Sequence, residues 1–198
     1  MSDLIAATRV ALARPSGASS DYDLNPDVVL PAGRKLRPAA VLAAVQDTAR
    51  GPALILTKRS SALKHHPGQI AFPGGKQDPG DPTIEDAALR EAEEEIGLPR
   101  QNIEILGRFA PHETVTGFLV TPIIARVTRD FDPRPEAGEV DEVFQVPLAH
   151  VLDPARFVVQ SRRWRGSRRH YYAVPYGPYY IWGATARILR AWTDALIR

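Results

Sequence analysis

Between residues 90 and 95 the chain reads Arg-Glu-Ala-Glu-Glu-Glu, so Glu91, Glu94 and Glu95 stand at positions i, i+3 and i+4. On a helix those side chains share one side. Like charges at that spacing cost roughly 0.2–0.5 kcal/mol per pair in an isolated helix. A positive occupant removes the penalty. Three carboxylates suit a hard divalent cation: Mg2+ or Mn2+ accepts all-oxygen coordination, whereas zinc would want His or Cys. A solvated acidic helix face is the plainer alternative, but it leaves Phe72-Pro73-Gly74-Gly75 just upstream unexplained. Gly74 and Gly75 let backbone carbonyls and amides approach a ligand with no Cβ in the way. Loop and helix together point to phosphate chemistry with a metal.

The helix itself is well signalled. Thr83 is a good N-cap, and Asp86 three positions later makes a weak capping box. Residues 87–96 are mostly strong helix formers, and Gly97 followed by Pro99 stops the run. At about 100° per residue, Ala88, Leu89, Ala92 and Ile96 fall on one arc, suited to packing on a sheet. The glutamates occupy the neighbouring arc.

These residues resemble the Nudix box, G-x5-E-x7-R-E-U-x-E-E-x-G-U with U a bulky aliphatic. Gly75, Arg90, Glu91, Glu94, Glu95, Gly97 and Leu98 match, with Ala92 as a small U. Two departures stand out: Asp81 replaces the first Glu, and eight residues rather than seven separate it from Arg90. The stretch before the box, Ile55-Leu56-Thr57-Lys58-Arg59-Ser60, then Lys64, Gly68 and Phe72-Pro73-Gly74-Gly75, is similar to the signature of the coenzyme A pyrophosphatase branch. That signature is L-L-T-x-R-[SA]-x3-R-x3-G-x3-F-P-G-G, and Ile55 and Lys64 are the mismatches. Lys64 keeps the charge but loses the bidentate fork of arginine.

The resemblance implies an α/β fold, the Nudix α/β/α sandwich with a mixed β-sheet between helices. It also implies a reaction, hydrolysis of the pyrophosphate of coenzyme A or its thioesters. The products are adenosine 3′,5′-bisphosphate and 4′-phosphopantetheine or its acyl form. Glu91, Glu94 and Glu95 are implied as ligands of Mg2+ or Mn2+, with the Gly74 carbonyl as an addition. Arg90 is expected to orient a glutamate by charge-assisted hydrogen bonding rather than to touch substrate. Arg59, Ser60, Lys64, Gly68 and Gln69 are the candidate substrate contacts. For the base that activates water, Glu139 is the choice, since it precedes a strand-like run, and Glu113 is the alternative.

Two other groups of residues carry chemistry. His65 and His66 lie beside the expected phosphate loop, where they suit substrate contact or loop placement better than metal ligation. Arg162, Arg163, Trp164, Arg165, Arg168 and Arg169, followed by Tyr171 and Tyr172, suit an adenine and a 3′-phosphate, or single-stranded nucleic acid, or simply a solvated hairpin. Two rival functions follow: a Nudix pyrophosphatase for another nucleoside diphosphate derivative, and a non-catalytic nucleotide- or RNA-binding module. Retention of mutually repelling acids disfavours the second, so nucleic acid is not the expected partner.

Composition sets the frame. The 198 residues suit one domain over 1–198, with residues 1–37 as an N-terminal helix and arm and 55–98 as the two motifs. No cysteine is present, which fits a cytoplasmic protein without demanding it. A net charge of +2 says little about partners. No apolar run approaches the roughly 20 residues needed to cross a bilayer, and residues 1–13 lack the core of a signal peptide. They read as an amphipathic helix carrying Leu4, Ile5, Val10 and Leu12, a candidate homodimer interface. Apolar runs at 39–45 and 53–57 predict a hairpin, and 69–72 a short strand entering the Gly-Gly turn. Residues 103–109, 118–127 and 143–146 predict further strands, and 147–152 a brief helix. Residues 157–160 and 170–174 are read as a hairpin flanking the arginines. Residues 185–197 predict a closing helix.

Overall fold

The computed structural model describes residues 3–164 and 166–197. Helix α1 (Asp3–Leu12) leads into an arm whose regular structure is β1 (Ser19–Ser20). The hairpin of β2 (Arg37–Thr48) and β3 (Gly51–Arg59) follows, then β4 (Ile70–Ala71), β5 (Gly74–Lys76) and α2 (Ile84–Ile96). Next come β6 (Ile103–Arg108), β7 (His112–Glu113), β8 (Phe118–Val127), β9 (Val140–Pro147) and α3 (Leu148–Val151). A second hairpin, β10 (Val158–Trp164) with β11 (Ser167–Ala173), precedes α4 (Ala184–Ile197).

The main sheet runs β1-β7-β8-β2-β3-β4, with β5 also on β2, β6 on β8 and β9 on β3. It is mixed: β2 lies parallel to β8 from Arg37↔Phe118 to Gln46↔Val127, but antiparallel to β3 and β5. Alternate residues of β2 feed two cores. Ala39, Ala43 and Val45 join Leu54, Leu56, Ile188, Leu189 and Trp192 on one face. Ala40, Leu42 and Ala44 join Ile55, Ile123, Ala87, Ala88, Ala92 and Ile96 on the other. A sheet covered on both faces by helices is the α/β/α sandwich expected. Among the described residues no helix is long and apolar enough to cross a membrane.

Two expectations need correcting. Gly74-Gly75-Lys76 is not a turn but a strand, antiparallel to Ala39-Ala40-Val41. The arginines do not sit between the strands of the second hairpin: Arg162, Arg163, Arg168 and Arg169 are inside them, paired Arg162↔Arg169 and Arg163↔Arg168. Arginines at those positions mask the period-2 pattern that marks a strand. Arg165 and the side chain of Trp164 lie outside the described residues. The apolar side of α1 packs within the chain. Ile5 and Ala11 are buried, Leu4 and Leu12 pack on the same core, and the Trp192 Nε1–H donates to Thr8 Oγ1 at 3.1 Å. Val10 is left exposed, as are Ala6 and Ala7 on the outer side of the helix.

Candidate functional site

Helix α2 is fixed at both ends. Thr83 Oγ1 accepts the Asp86 N–H at 3.1 Å and donates to Asp86 Oδ2 at 2.7 Å, which closes the first turn. At the other end Gly97 takes the left-handed conformation (φ 69), its N–H reaching the Glu93 carbonyl. Small residues line both surfaces where α2 meets the sheet, Ala87, Ala88 and Ala92 against Ala40 and Ala44. The helix can therefore lie close to β2 and β5. Glu95, 5% exposed, accepts the Gly74 N–H at 3.0 Å through Oε2.

The two glycines serve different ends. At Gly74 (φ 152) a Cβ would stand 2.3 Å from the Ala40 carbonyl oxygen, so only glycine lets β5 pair there. At Gly75 a Cβ would stand 2.4 Å from the Glu91 carboxylate. The second glycine makes room for an acid rather than for the backbone.

Burial pushes the Glu95 carboxyl up to about 7; Glu91 and Glu139 add to the rise, while the Gly74 N–H and Arg59 oppose it. Glu91 is also raised, by burial first, with Glu94 and Glu139 adding and Arg90 opposing. Glu91 and Glu95 thus both feel the negative charge of Glu139. Arg90 holds the frame. Its Nε and Nη2 form a fork on Asp81 at 2.9 and 3.0 Å, and its Nη1 donates to Glu91 at 3.0 Å and Glu94 at 2.8 Å. The fork holds the Asp81 carboxyl below the usual range and raises the guanidinium's own value. Asp81, whose departure from the box pattern left its role open, is the anchor of Arg90, and Arg90 in turn donates to Glu91 and Glu94.

The donors fit a hard dication in kind. Glu91 and Glu95 are oxygen donors, both disfavoured as unaccompanied anions, flanking backbone that a side chain would obstruct. As they stand, however, no three acidic or imidazole groups among the described residues converge closely enough to hold an ion. The expected third member, Glu94, is half exposed and turned to Arg90.

The loop joining β3 to β4 lies against the same place. It is closed by Arg59 N–H to the Gln69 carbonyl (2.9 Å) and Gly68 N–H to the Arg59 carbonyl (3.0 Å). Ser60 is buried; its N–H donates to the Glu139 carbonyl at 2.8 Å and its Oγ accepts from Ala62 N–H, a fastening role. That bond brings Glu139 beside Arg59. Gly68 takes a left-handed conformation in the turn, and Lys64 is exposed at its rim. His66 also lies in the left-handed region (φ 56), an unusual backbone for a side-chain-bearing residue. Glu113, the rival for the base, is committed elsewhere: it pairs with Arg34, and its carbonyl accepts the Asp21 N–H of the arm.

Two features escaped sequence reading. Ser19 Oγ lies 3.0 Å from His112 Nδ1, and His112 Nε2 lies 3.1 Å from Asp21 Oδ1. The Ser-His-Asp order resembles a nucleophilic relay, but His112 is wholly buried and Ser19 nearly so. Asp21 also accepts the Val115 N–H at 2.8 Å, so the trio fastens the arm to β7. The other is Trp182, which receives Arg162 from the second hairpin at 4.2 Å. No spacing links either group along the chain. A concavity of about 210 Å3 near Phe131, Val143 and Phe144 is lined by no ionisable side chain.

The NUDIX domain profile matches residues 35–166. The uncharacterized Nudix hydrolase NudL of Citrobacter koseri is 40% identical over 154 residues, covering 78% of this chain and 80% of the relative. That of Photorhabdus laumondii is 35% identical over 189 residues, covering 96% and 94%. Among solved structures, a MutT/nudix family protein from Enterococcus faecalis shares the fold with a TM-score of 0.55 at 17% identity, over 87% of this chain and 66% of that one. A Nudix hydrolase from M. smegmatis, RenU, gives 0.50 at 27% identity, over 59% and 74%.

Proposed function

The chain belongs to the Nudix family, whose members are hydrolases of pyrophosphates, and on that premise we propose that it cleaves the diphosphate of coenzyme A or its thioesters. The observation that carries the reading is the joint between its two motifs. The loop beginning Arg59-Ser60, the part similar to the coenzyme A signature, is bonded to Glu139 and places Arg59 within electrostatic reach of Glu95. The segment that would choose the substrate and the segment that would cut it are thus one assembly.

Glu91 and Glu95, with Glu94 and the Gly74 carbonyl beside them, are the residues that would hold Mg2+ or Mn2+. Such an ion supplies charge neutralisation for the diphosphate and a more acidic water. Arg90, braced by Asp81, keeps Glu91 from swinging away. Arg59 and Lys64 offer positive charge to the diphosphate oxygens, while Ser60, Gly68 and Gln69 shape the loop that presents them. Glu139 takes a proton from water as the water oxygen attacks phosphorus in line. The bridging P–O bond breaks, and its electron pair leaves with the departing phosphate. We place the activity in the cytoplasm, on a small-molecule substrate.

The test is hydrolysis of coenzyme A with Mg2+ or Mn2+, scored beside ATP and ADP-ribose. Adenosine 3′,5′-bisphosphate and 4′-phosphopantetheine are the expected products. Cleavage of another diphosphate with coenzyme A untouched would remove the substrate assignment and leave the family.

A further inference from the structure

The second hairpin places Arg162 and Arg169 directly opposite each other across β10 and β11. Like charges in that relation are destabilising, and no carboxylate pairs with Arg162 among the described residues. At Arg162 an aromatic ring takes the place of an acid. The Arg162 guanidinium lies 4.2 Å over the Trp182 ring, and Arg169 lies 5.3 Å over Tyr22. Behind Trp182 stand Tyr171, with ring centroids 5.0 Å apart, and Tyr180 at 6.5 Å. Trp182 is held there by the backbone, bridged antiparallel to Ala173 and followed by Gly183, whose N–H donates to the Tyr172 carbonyl at 3.1 Å.

This group adjoins the substrate loop. Thr185 Oγ1 donates to the Ile70 carbonyl at 3.0 Å, and the Gln69 side-chain nitrogen lies 3.6 Å from where a Cβ on Gly183 would be. Trp182 therefore sits beside the end of the 59–69 loop. Partial burial lowers the pKa of His66 in that loop, and the positive charges of Arg59 and then Arg162 lower it further. Arg59 in turn acts on Glu95. A line of positive charge runs from the acid cluster through the loop to an aromatic platform, with Tyr180 44% exposed at its end.

Stacking fixes what Arg162 has left to offer. A guanidinium laid on a ring spends its face on the cation–π contact and keeps its N–H groups around the edge. Edge donors in a plane match a phosphate, and exposed aromatic surface matches a flat base. We infer that Trp182, Arg162, Tyr171 and Tyr180 form a subsite for a purine nucleoside monophosphate, with Arg162 holding a phosphate monoester distinct from the diphosphate that is cut. This rests on the coenzyme A reading, whose adenosine 3′-phosphate is the group concerned.

Calorimetric titration of the intact protein with adenosine 3′,5′-bisphosphate and with AMP tests it, beside KM for coenzyme A and 3′-dephospho-coenzyme A. Wild type should favour the 3′-phosphorylated member of each pair by roughly tenfold. Arg162→Ala should abolish that preference by raising Kd and KM for the phosphorylated members. Arg162→Lys should restore part of it, and Trp182→Phe should weaken all four. Arg162 is exposed, so its variants should fold and carry the test even if Trp182 proves structural. An unchanged 3′-phosphate preference in Arg162→Ala overturns the subsite. So does wild-type cleavage of coenzyme A with no discrimination against the dephospho form, which leaves the substrate reading standing. Arg162-dependent preference for the bisphosphate without coenzyme A cleavage keeps the subsite and removes that reading. Tighter, Arg162-dependent binding of a single-stranded RNA oligomer would reassign the platform and overturn the inference.

Discussion

The molecule concentrates charge at two neighbouring places and treats them differently. On α2 the charges are negative, and they are held by a lattice of partners: Gly74 N–H on Glu95, Arg90 on Glu91 and Glu94, Asp81 on Arg90. On the second hairpin they are positive, and Arg162 rests on a ring instead of an acid. The lattice fixes geometry and pushes up the pKa of buried carboxyls. The stacking fixes a plane and leaves donors facing water. A centre that must position a water molecule calls for the first arrangement, and one that must receive an anion calls for the second.

If that contrast is right, the acid end should tolerate change poorly. Glu95→Gln should lower turnover roughly 100- to 1000-fold with circular dichroism and Tm near wild type; near-normal rates at saturating Mn2+ would break the distinction. Glu139→Gln should lower kcat about a hundredfold with KM little changed, whereas Glu113→Gln, on the arm side, should leave kcat near wild type. A reversed ranking of the two would move the base. The glycines sharpen the contrast within the site. Gly75→Ala displaces only the flexible end of Glu91 and should reduce kcat roughly tenfold with little loss of stability. Gly74→Ala meets backbone and should destabilise by about 3 kcal/mol in urea unfolding.

Glu95 also sets a pH dependence. Its pKa is about 7 in the fold against an ordinary 4.5, so between those values the folded chain holds a proton the unfolded chain has released. In chelator, its contribution to stability should be complete below about pH 4.5. It should decline as pH rises through 7, by at most about 3 kcal/mol, and Glu95→Gln should flatten the profile. At the basic end a smaller effect is expected from Asn25. Its side-chain amide pairs with His170 as a strand would, Nδ2 to the carbonyl at 2.9 Å and Oδ1 from the N–H at 2.8 Å. Asn25→Ala should cost about 2 kcal/mol and loosen the hairpin without touching kcat for a substrate lacking the 3′-phosphate.

How much of each place could be read beforehand follows from where its partners lie. Glu91, Glu94 and Glu95 were legible because one helix supplies all three, and helical spacing is visible in a sequence. The diversion of Glu94 to Arg90 was not, since either partner could have turned elsewhere. Asp81 looked like a misfit because its value lies in a fork to Arg90 across a loop. A Gly-Gly pair signals a turn, but pairing with Ala40 and Val41 of β2 makes Gly74 and Gly75 a strand. The aromatic group is half legible: Arg162 and Tyr171 lie in one arginine-rich stretch, whereas Trp182 joins them only where the chain returns beside Ala173.

The bond from Trp192 to Thr8 spans 184 positions and ties α4 to α1. Any chain built in order therefore carries α1 with the α4 side of its apolar face uncovered until α4 has been made, although Leu12 already meets Gly107 of β6. During that interval the face is only partly sheltered, and the segment is open to clustering with other nascent chains or to capture by chaperones. Full shielding arrives late, and a chain broken off before α4 would never acquire it.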